Sequence, residues 1–306
     1  ANKGKNFVQD EFSINTEKYQ EWFMSFAGFN NDDQVNSWRW GLNMKFLLGM
    51  GMAHLGSDQI DITVNDRNSV QINQMNARYY HTWGSSSTLR NPFGMSFDFL
   101  EGTGLGADLG LVYEHRPNGN KPSASLNYCD FEKNNAYDWK VGFSLTDLGF
   151  IYYNGEADDI ISTANTNWNV NQNIVQNGQF VEGDEKFFGI TRTLFEPLEA
   201  EKYNEFASYL PFAFNMQFDK RVNQYWHLGG YWTQNLKRKN SVGLRRASYL
   251  SLVPRWQSEQ MEFGFPLTIA NDYTKVHYGA YGRIGPVIIG SNNLIGLGEF
   301  LTNTQY

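Results

Sequence analysis

Stepping by two along the chain from Trp40 meets Trp40, Leu42, Met44, Phe46, Leu48, Met50 and Met52 in turn. The positions between them include Arg39, Gly41, Asn43, Lys45, Gly49 and Gly51. A strand turns successive side chains to opposite faces, so this stretch predicts one apolar face and one small or polar face. The alternation returns at 104–114, where Leu105, Ala107, Leu109, Leu111 and Tyr113 oppose Gly106, Asp108, Gly110 and Glu114. It returns at 137–147, with Trp139, Val141, Phe143 and Leu145 against Asp138, Lys140, Gly142 and Ser144. It is seen again at 211–219 and at 260–269. Less regular strands are predicted over 69–83, 122–130, 224–235, 242–254 and 275–290.

The turns agree with this reading. Pro117-Asn118-Gly119-Asn120 is a hairpin signal, because Asn-Gly supplies the positive φ angles of a tight turn. From 211 to 290 the chain reads as strand, short turn, strand, repeated. That is an antiparallel meander, the connectivity of an up-and-down barrel. Pro266 removes a ladder donor from an otherwise regular strand, so a distortion is expected there.

Two segments stand apart. Residues 84–103 form a Ser/Gly-rich connection, and 153–207 form a long excursion with acidic and Asn/Gln-rich parts. Within the excursion, Leu198, Tyr203, Phe206 and Leu210 approach helical spacing, so a short amphipathic helix is predicted over 197–209. The strand count places the two segments on opposite sides of the membrane, so either the count is off by one or a long segment faces the periplasm. The whole of 1–306 is read as one domain.

The expected fold class is all-β, a transmembrane antiparallel up-and-down β-barrel. Alternation alone gives about 10–12 strands of roughly 9–13 residues, near the length of a tilted spanning strand. Soluble sheets more often use strands of about 5–6 residues. Aromatics gather near strand ends, as at Trp38 and Trp40, Tyr79 and Trp83, Tyr137 and Trp139, Tyr225 and Trp226, and Tyr278 and Tyr281. Such girdles flank the apolar band of outer-membrane barrels.

Composition sharpens the picture. Aromatics make up 16% of the 306 residues and there are 29 Gly. Mean hydropathy is nevertheless −0.52, as expected when an apolar outer face and a polar inner face average out. The best apolar run, 46–55, is about half of the roughly 20 residues a spanning helix needs. The opening Ala1-Asn2-Lys3-Gly4-Lys5 has no apolar stretch behind it, so no signal peptide is read there. The single Cys129 excludes an internal disulfide and a cysteine-built metal site. A net charge of −7 argues against a dedicated nucleic-acid binder.

No catalytic residue or cofactor is predicted. His54, His81, His115, His227 and His277 form no zinc motif, and no nucleophile elbow is present. Gly102-Thr103-Gly104-Leu105-Gly106 resembles part of a dinucleotide loop, but alternation rather than a helix follows it. The chemistry that remains is charge on the polar face. Asp108, Glu114, Asp138, Asp147 and Glu262 are candidate inward carboxylates, and Lys45, Lys140 and Arg283 are placed to face them. In a wet lumen they would act as an electrostatic filter or close the pore by pairing, or simply stabilise the barrel. Lys237, Arg238, Lys239, Arg245 and Arg246 form a basic cluster. It reads either as a solvated turn leading into a strand or as a contact with lipid phosphates or an acidic partner.

The segment from Gly104 through Ala107-Asp108-Leu109-Gly110 to Tyr113 is followed by Trp139 through Thr146-Asp147-Leu148-Gly149 to Ile151. Together with Leu210-Pro211-Phe212 and Gly285-Pro286-Val287-Ile288-Ile289-Gly290, these motifs resemble a family of uncharacterised outer-membrane barrels from Bacteroidota. That family is distantly similar to the PorP/SprF proteins of type 9 secretion and to FadL-like transporters. The resemblance implies a barrel of about 14 strands. It also implies a longer parent protein, since members often continue into an OmpA-like peptidoglycan-binding domain. It carries over no catalytic residue; Asp108 and Asp147 transfer only as motif positions.

The expected location is thus the bacterial outer membrane. The expected partners are outer-membrane lipid and lipopolysaccharide, with other outer-membrane or periplasmic proteins, and no nucleic acid. The leading expectation is a non-enzymatic accessory or scaffolding subunit of a secretion or assembly complex. A porin or transporter for small solutes is the alternative, and a soluble β protein that binds sugars or proteins through Tyr and Trp is a third reading.

Overall fold

The computed structural model describes residues 4–30, 35–65, 69–82, 100–116, 137–162, 166–169, 175–176, 179–180, 200–258, 260–294 and 296. The described chain is all-β. Its strands are β1 (Asn6–Asn30), β2 (Asn36–Val64), β3 (Ser69–His81), β4 (Gly102–His115), β5 (Trp139–Ser162), β6 (Thr166–Asn169), β7 (Val175–Gln176), β8 (Gln179–Phe180) and β9 (Ala200–Tyr209). They continue with β10 (Ala213–Arg221), β11 (Trp226–Asn235), β12 (Tyr249–Gln257), β13 (Met261–Gly264), β14 (Leu267–Ala270), β15 (Lys275–Tyr278), β16 (Ala280–Ile284) and β17 (Val287–Ser291). All but β7 and β8 join one antiparallel sheet. Among the described residues no helix is long and apolar enough to cross a membrane.

Several strands are collinear pieces of one row. Both β3 and β4 lie between β2 and β5, one pairing the far half of β2 and the other its near half. Likewise β9 and β10 both follow β5, while β13 with β14 and β15 with β16 form two further interrupted rows. The order across the sheet is sequential, which is the expected meander. The break between β13 and β14 falls at Phe265-Pro266, where the missing donor predicts it.

The described sheet is not closed. Among the described residues β1 pairs only β2, and β17 pairs only β16. The two edges are 25 and 5 residues long, so they offer one another few matching ladder positions.

Three expectations need correction. Ala200–Tyr209 is strand, not helix. Phe206, Ser208 and Leu210 are buried while Glu205 and Tyr209 are exposed, a period of two, and the far half of β5 supplies the ladder. The excursion at 153–207 is correspondingly shorter, because β5 runs on to Ser162 and β9 begins at Ala200. β3 and β4, the strands before and after the 84–103 connection, occupy one row on β2. The amide of Thr82 donates to the Met52 carbonyl (3.1 Å) and that of Glu101 to the Gly49 carbonyl (2.9 Å), anchoring both ends of the detour on β2. The strand expected over 242–254 starts only at Tyr249. The strand expected over 122–130 lies outside the described residues.

Alternation does not predict β1. Its register shifts between Lys18 and Tyr19, which swaps the faces part-way, and Trp22-Phe23-Met24 run together without a polar interval.

Over 40–46, 105–111 and at 143 the two faces of the sheet are sorted as the alternation predicts, whereas Met52, expected on the apolar face, is buried with Leu47 from the other. Trp40, Met44 and Phe46 on β2, Leu105, Leu109 and Leu111 on β4, and Phe143 and Phe150 on β5 are exposed. Leu250, Leu252, Phe263, Leu267 and Ile269 continue that apolar face. The opposite face buries Ser37, Lys45, Glu114, Asp219, Thr233 and Ser251. Only one compact apolar cluster lies among the described buried residues, formed by Leu47, Met52, Ile151, Tyr153, Phe206 and Leu210. The Tyr153 ring lies across Gly49 and Gly102, where a Cβ on either glycine would overlap it. Those two positions therefore require glycine.

Candidate functional site

The polar face is organised around Lys45. Its Nζ lies 2.7 Å from Asp147 Oδ1 and 3.0 Å from Asp108 Oδ1, with Glu21 at 3.7 Å. The Asp108 carboxylate also accepts the backbone N–H of Asp147 (2.7 Å) and the Asn43 amide (3.2 Å). Arg246 reaches the other oxygen of Asp147 at 3.2 Å. The backbone makes this cluster possible. Strict alternation would put Asp147 on the Phe143–Leu145 face, but Asp147 adopts φ 59°, and the β4–β5 register shifts between Ala107 and Leu109. Aspartate tolerates the left-handed region better than most residues. Beyond it the parity of β5 reverses: Phe150 and Tyr152 are exposed, whereas Ile151 and Tyr153 are buried.

Three further groups line the same face. Glu114 takes Arg116 at 2.6 Å and Arg39 at 3.0 Å. Asp219 takes Arg255 at 2.8 Å and the Tyr137 hydroxyl at 2.9 Å, and Arg255 also donates to that hydroxyl at 3.1 Å. Glu262 takes Arg283 at 3.4 Å and the Tyr281 hydroxyl at 2.8 Å. Of the other expected residues, Asp138 meets Lys220 at 3.4 Å in an exposed pair, and the Lys140 ammonium lies 4.6 Å over the Tyr137 ring. Sequence reading did not single out Arg39, Arg116, Arg255 or Asp219 as site residues. Asp219 sits on the polar side of an alternating strand, which was signal enough. For Arg255 the misplaced strand boundary hid it.

The segment between β11 and β12, residues 236–248, folds back over the polar face rather than standing clear of the sheet. The amide of Asn240 donates to Glu11 (3.2 Å), its side chain bonds Asp58, and the Ser13 hydroxyl donates to the Lys239 carbonyl (2.6 Å). Val242 packs on the apolar cluster. Gly243 has φ 95° and lies so close to Ser208 and the Tyr209 carbonyl that a Cβ would overlap both.

The basic cluster anchors this segment. Lys237 donates to the carbonyls of Tyr209 (2.5 Å) and Leu244 (2.9 Å). Burial pushes its ammonium down to about 8, opposed by the charge of Glu17. Arg245 pairs with Asp272 at 2.7 Å, and Arg246 with Asp147. The Arg245 hydrogen bond, with the Ser248 amide, holds the Asp272 carboxyl down at about 2. Arg238 and Lys239 are exposed. Three of the five expected basic residues are thus turned to internal acceptors, leaving two for outside contacts.

No described cluster of three or more His, Cys, Asp or Glu is arranged to hold a metal ion. The geometry is that of a polar sheet face crossed by the 236–248 segment.

This chain belongs to DUF5723, a family of unknown function. The match covers residues 1–292, nearly the whole chain, and agrees with the resemblance to an uncharacterised family. No curated protein and no solved structure matches it. The two Asp-Leu-Gly copies therefore gain a structural meaning within a DUF5723 chain: their aspartates meet at the β4–β5 register shift and share Lys45.

Proposed function

We propose that this DUF5723 chain is an integral protein of the bacterial outer membrane, without enzymatic activity, that serves as an accessory or scaffolding subunit of a secretion or assembly complex. The observation that carries the membrane reading is the inside-out sorting of the sheet. Its large apolar side chains are exposed and its charged side chains are buried, the reverse of a soluble sheet. Aromatic pairs line one end of the exposed face, with Trp38 to Tyr113 at 4.6 Å, Tyr113 to Trp139 at 5.1 Å and Trp256 to Phe263 at 5.9 Å. Toward the other end the Trp232 indole donates to the Tyr273 hydroxyl at 2.7 Å. On β11, Trp226 and Trp232 are six residues apart, about 20 Å of strand, against an apolar band of about 25 Å. In hydrocarbon both sheet edges need ladder partners, so the inserted state has β1 and β17 paired with each other or with strands from elsewhere.

The inserted segment 236–248 favours a subunit over a porin, because it fills the face that a conduction path would need. The distant likeness to the PorP/SprF proteins that the sequence motifs imply for the family favours the same reading. The porin alternative rests on the charged inner wall, and FadL-like transport is its nearest form.

The test is a mild-detergent pull-down from native membranes through a tag on this chain, followed by planar-bilayer recording of the purified protein. A stoichiometric membrane or periplasmic partner and no conductance are expected. Recovery without a partner, together with steady conductance, would replace the subunit reading with the porin one. Recovery from the soluble fraction would overturn both.

A further inference from the structure

A second recess on the inner wall takes no part in the Lys45 cluster. It is a cavity of 530 Å³ among β11, β12, β14, β15 and β16, within the roughly 300–1,000 Å³ of small-ligand sites. Ser248, Ser251, Thr268, His277, Tyr281 and Asn292 line it. Among its described lining residues there is no carboxylate, lysine or arginine. That sets it apart from the rest of the wall, where charged pairs dominate.

Tyr281 is held flat. A Cβ on Gly264 would overlap its ring, so the ring lies on the glycine backbone of β13, while a Cβ on Gly290 of β17 would overlap the Tyr281 Cβ. Its hydroxyl is fixed by Glu262 at 2.8 Å. With one face on the wall and the edge anchored, the remaining face is what the ring offers to the cavity. Beside it, the Ser251 and Thr268 hydroxyls bond each other at 2.7 Å and keep further donor and acceptor capacity. A rigid aromatic face with hydroxyl, amide and imidazole groups around it matches a ligand with an apolar ring face and hydroxyl edges. An acyl chain would strand those polar groups, and an ion would find no counter-charge.

We propose that this cavity binds a neutral saccharide, stacked on Tyr281 and hydrogen-bonded by Ser251, Thr268, His277 and Asn292. The proposal goes beyond the membrane and subunit reading and does not depend on it.

The full chain, purified in detergent, is titrated calorimetrically with maltotriose, cellotriose and diacetylchitobiose. Saturable binding of at least one, with a Kd on the order of 1 mM or tighter, is expected. Tyr281→Ala should weaken it by about tenfold or more, while Tyr281→Phe, which keeps the ring, should stay within about threefold. Thr268→Val removes a hydroxyl at nearly constant shape and should also weaken binding, by about fivefold; it decides the matter if Tyr281→Ala does not fold. Absence of saturable binding with all three sugars overturns the proposal. So does binding that neither folded variant weakens. Either failure would leave the pull-down result standing, since that experiment does not involve the cavity.

Discussion

Asp108 and Asp147 are joined across the β4–β5 ladder: the carboxylate of the first accepts the backbone N–H of the second at 2.7 Å, and both grip the ammonium of Lys45. Two like charges this close are tolerable only with a cation between them. Lys45 is 8% exposed, so solvent replaces little of what it supplies. Lys45→Met should destabilise the folded protein by about 3–5 kcal/mol, because it leaves buried carboxylates uncompensated. Adding Asp108→Asn to that variant should recover part of the loss. Urea unfolding in detergent, followed by tryptophan fluorescence, measures both. A loss under about 1 kcal/mol for Lys45→Met would show that Arg246 alone balances the site.

The backbone at Asp147 makes a separate demand. At φ 59° a β-branched residue is strained, whereas Asn and Gly are not. Asp147→Val should therefore cost about 1–2 kcal/mol more than Asp147→Asn, since both lose the charge and only one fights the backbone. Equal losses would mean that the ion pairs, and not the conformation, set the requirement for this residue.

Phe143 and Ser144 are adjacent in β5 but point to opposite faces, and Phe143 is 41% exposed on the apolar one. If that face meets lipid, Phe143→Arg should cost about 2–4 kcal/mol near the midplane, while Ser144→Arg should be tolerated. Folding into vesicles, read by heat-modifiable gel mobility, compares them. Equal sensitivity at the two positions would sink the lipid-facing assignment.

The segment 236–248 is pinned at Lys237, Arg245, Arg246 and Gly243. Replacing 238–243 by a short Gly/Ser linker, together with Lys237→Ala, should release it from the wall. In planar bilayers the unaltered protein should be silent and the released variant should conduct. Equal conductance before and after would show that this segment does not block the path.

Acid should loosen the attachment of the same segment. The Asp272 carboxyl sits at about 2 when folded, against a reference value of 3.8. A depressed carboxylate contributes stability above its unfolded pKa and loses it as pH falls through the folded one. Arg245–Asp272 should thus contribute about 1–2 kcal/mol above pH ~4, fading toward pH ~2. Arg245→Gln should flatten that part of the pH profile in thermal melts. A profile identical to that of the unaltered chain would remove Arg245 as the cause.

The sequence by itself determined the strand character and the two faces. A period of two survives in any local window, so Trp40 to Phe46, Leu105 to Tyr113 and Trp139 to Leu145 declare which side chains share a face. Pro266 announced the break between β13 and β14, because its missing donor is a local property. The carboxylates Asp108, Glu114 and Glu262 could be assigned to the polar face on the same ground.

What sequence could not decide is everything that depends on a partner strand. The helical spacing at 198–210 is compatible with a strand, and the edge of β5's far half that β3 leaves open selects the strand. The register shift at Lys18/Tyr19 hides β1 from any test of alternation. The left-handed turn at Asp147 brings that residue beside Lys45, which is 102 positions away in the chain. The basic run at 237–246 looks like an outward patch until the fold supplies Tyr209, Asp147 and Asp272 as internal acceptors. Local periodicity fixes the face a residue takes, but only tertiary pairing fixes which charges meet, because hydrogen-bonded ladders join positions that are distant along the chain.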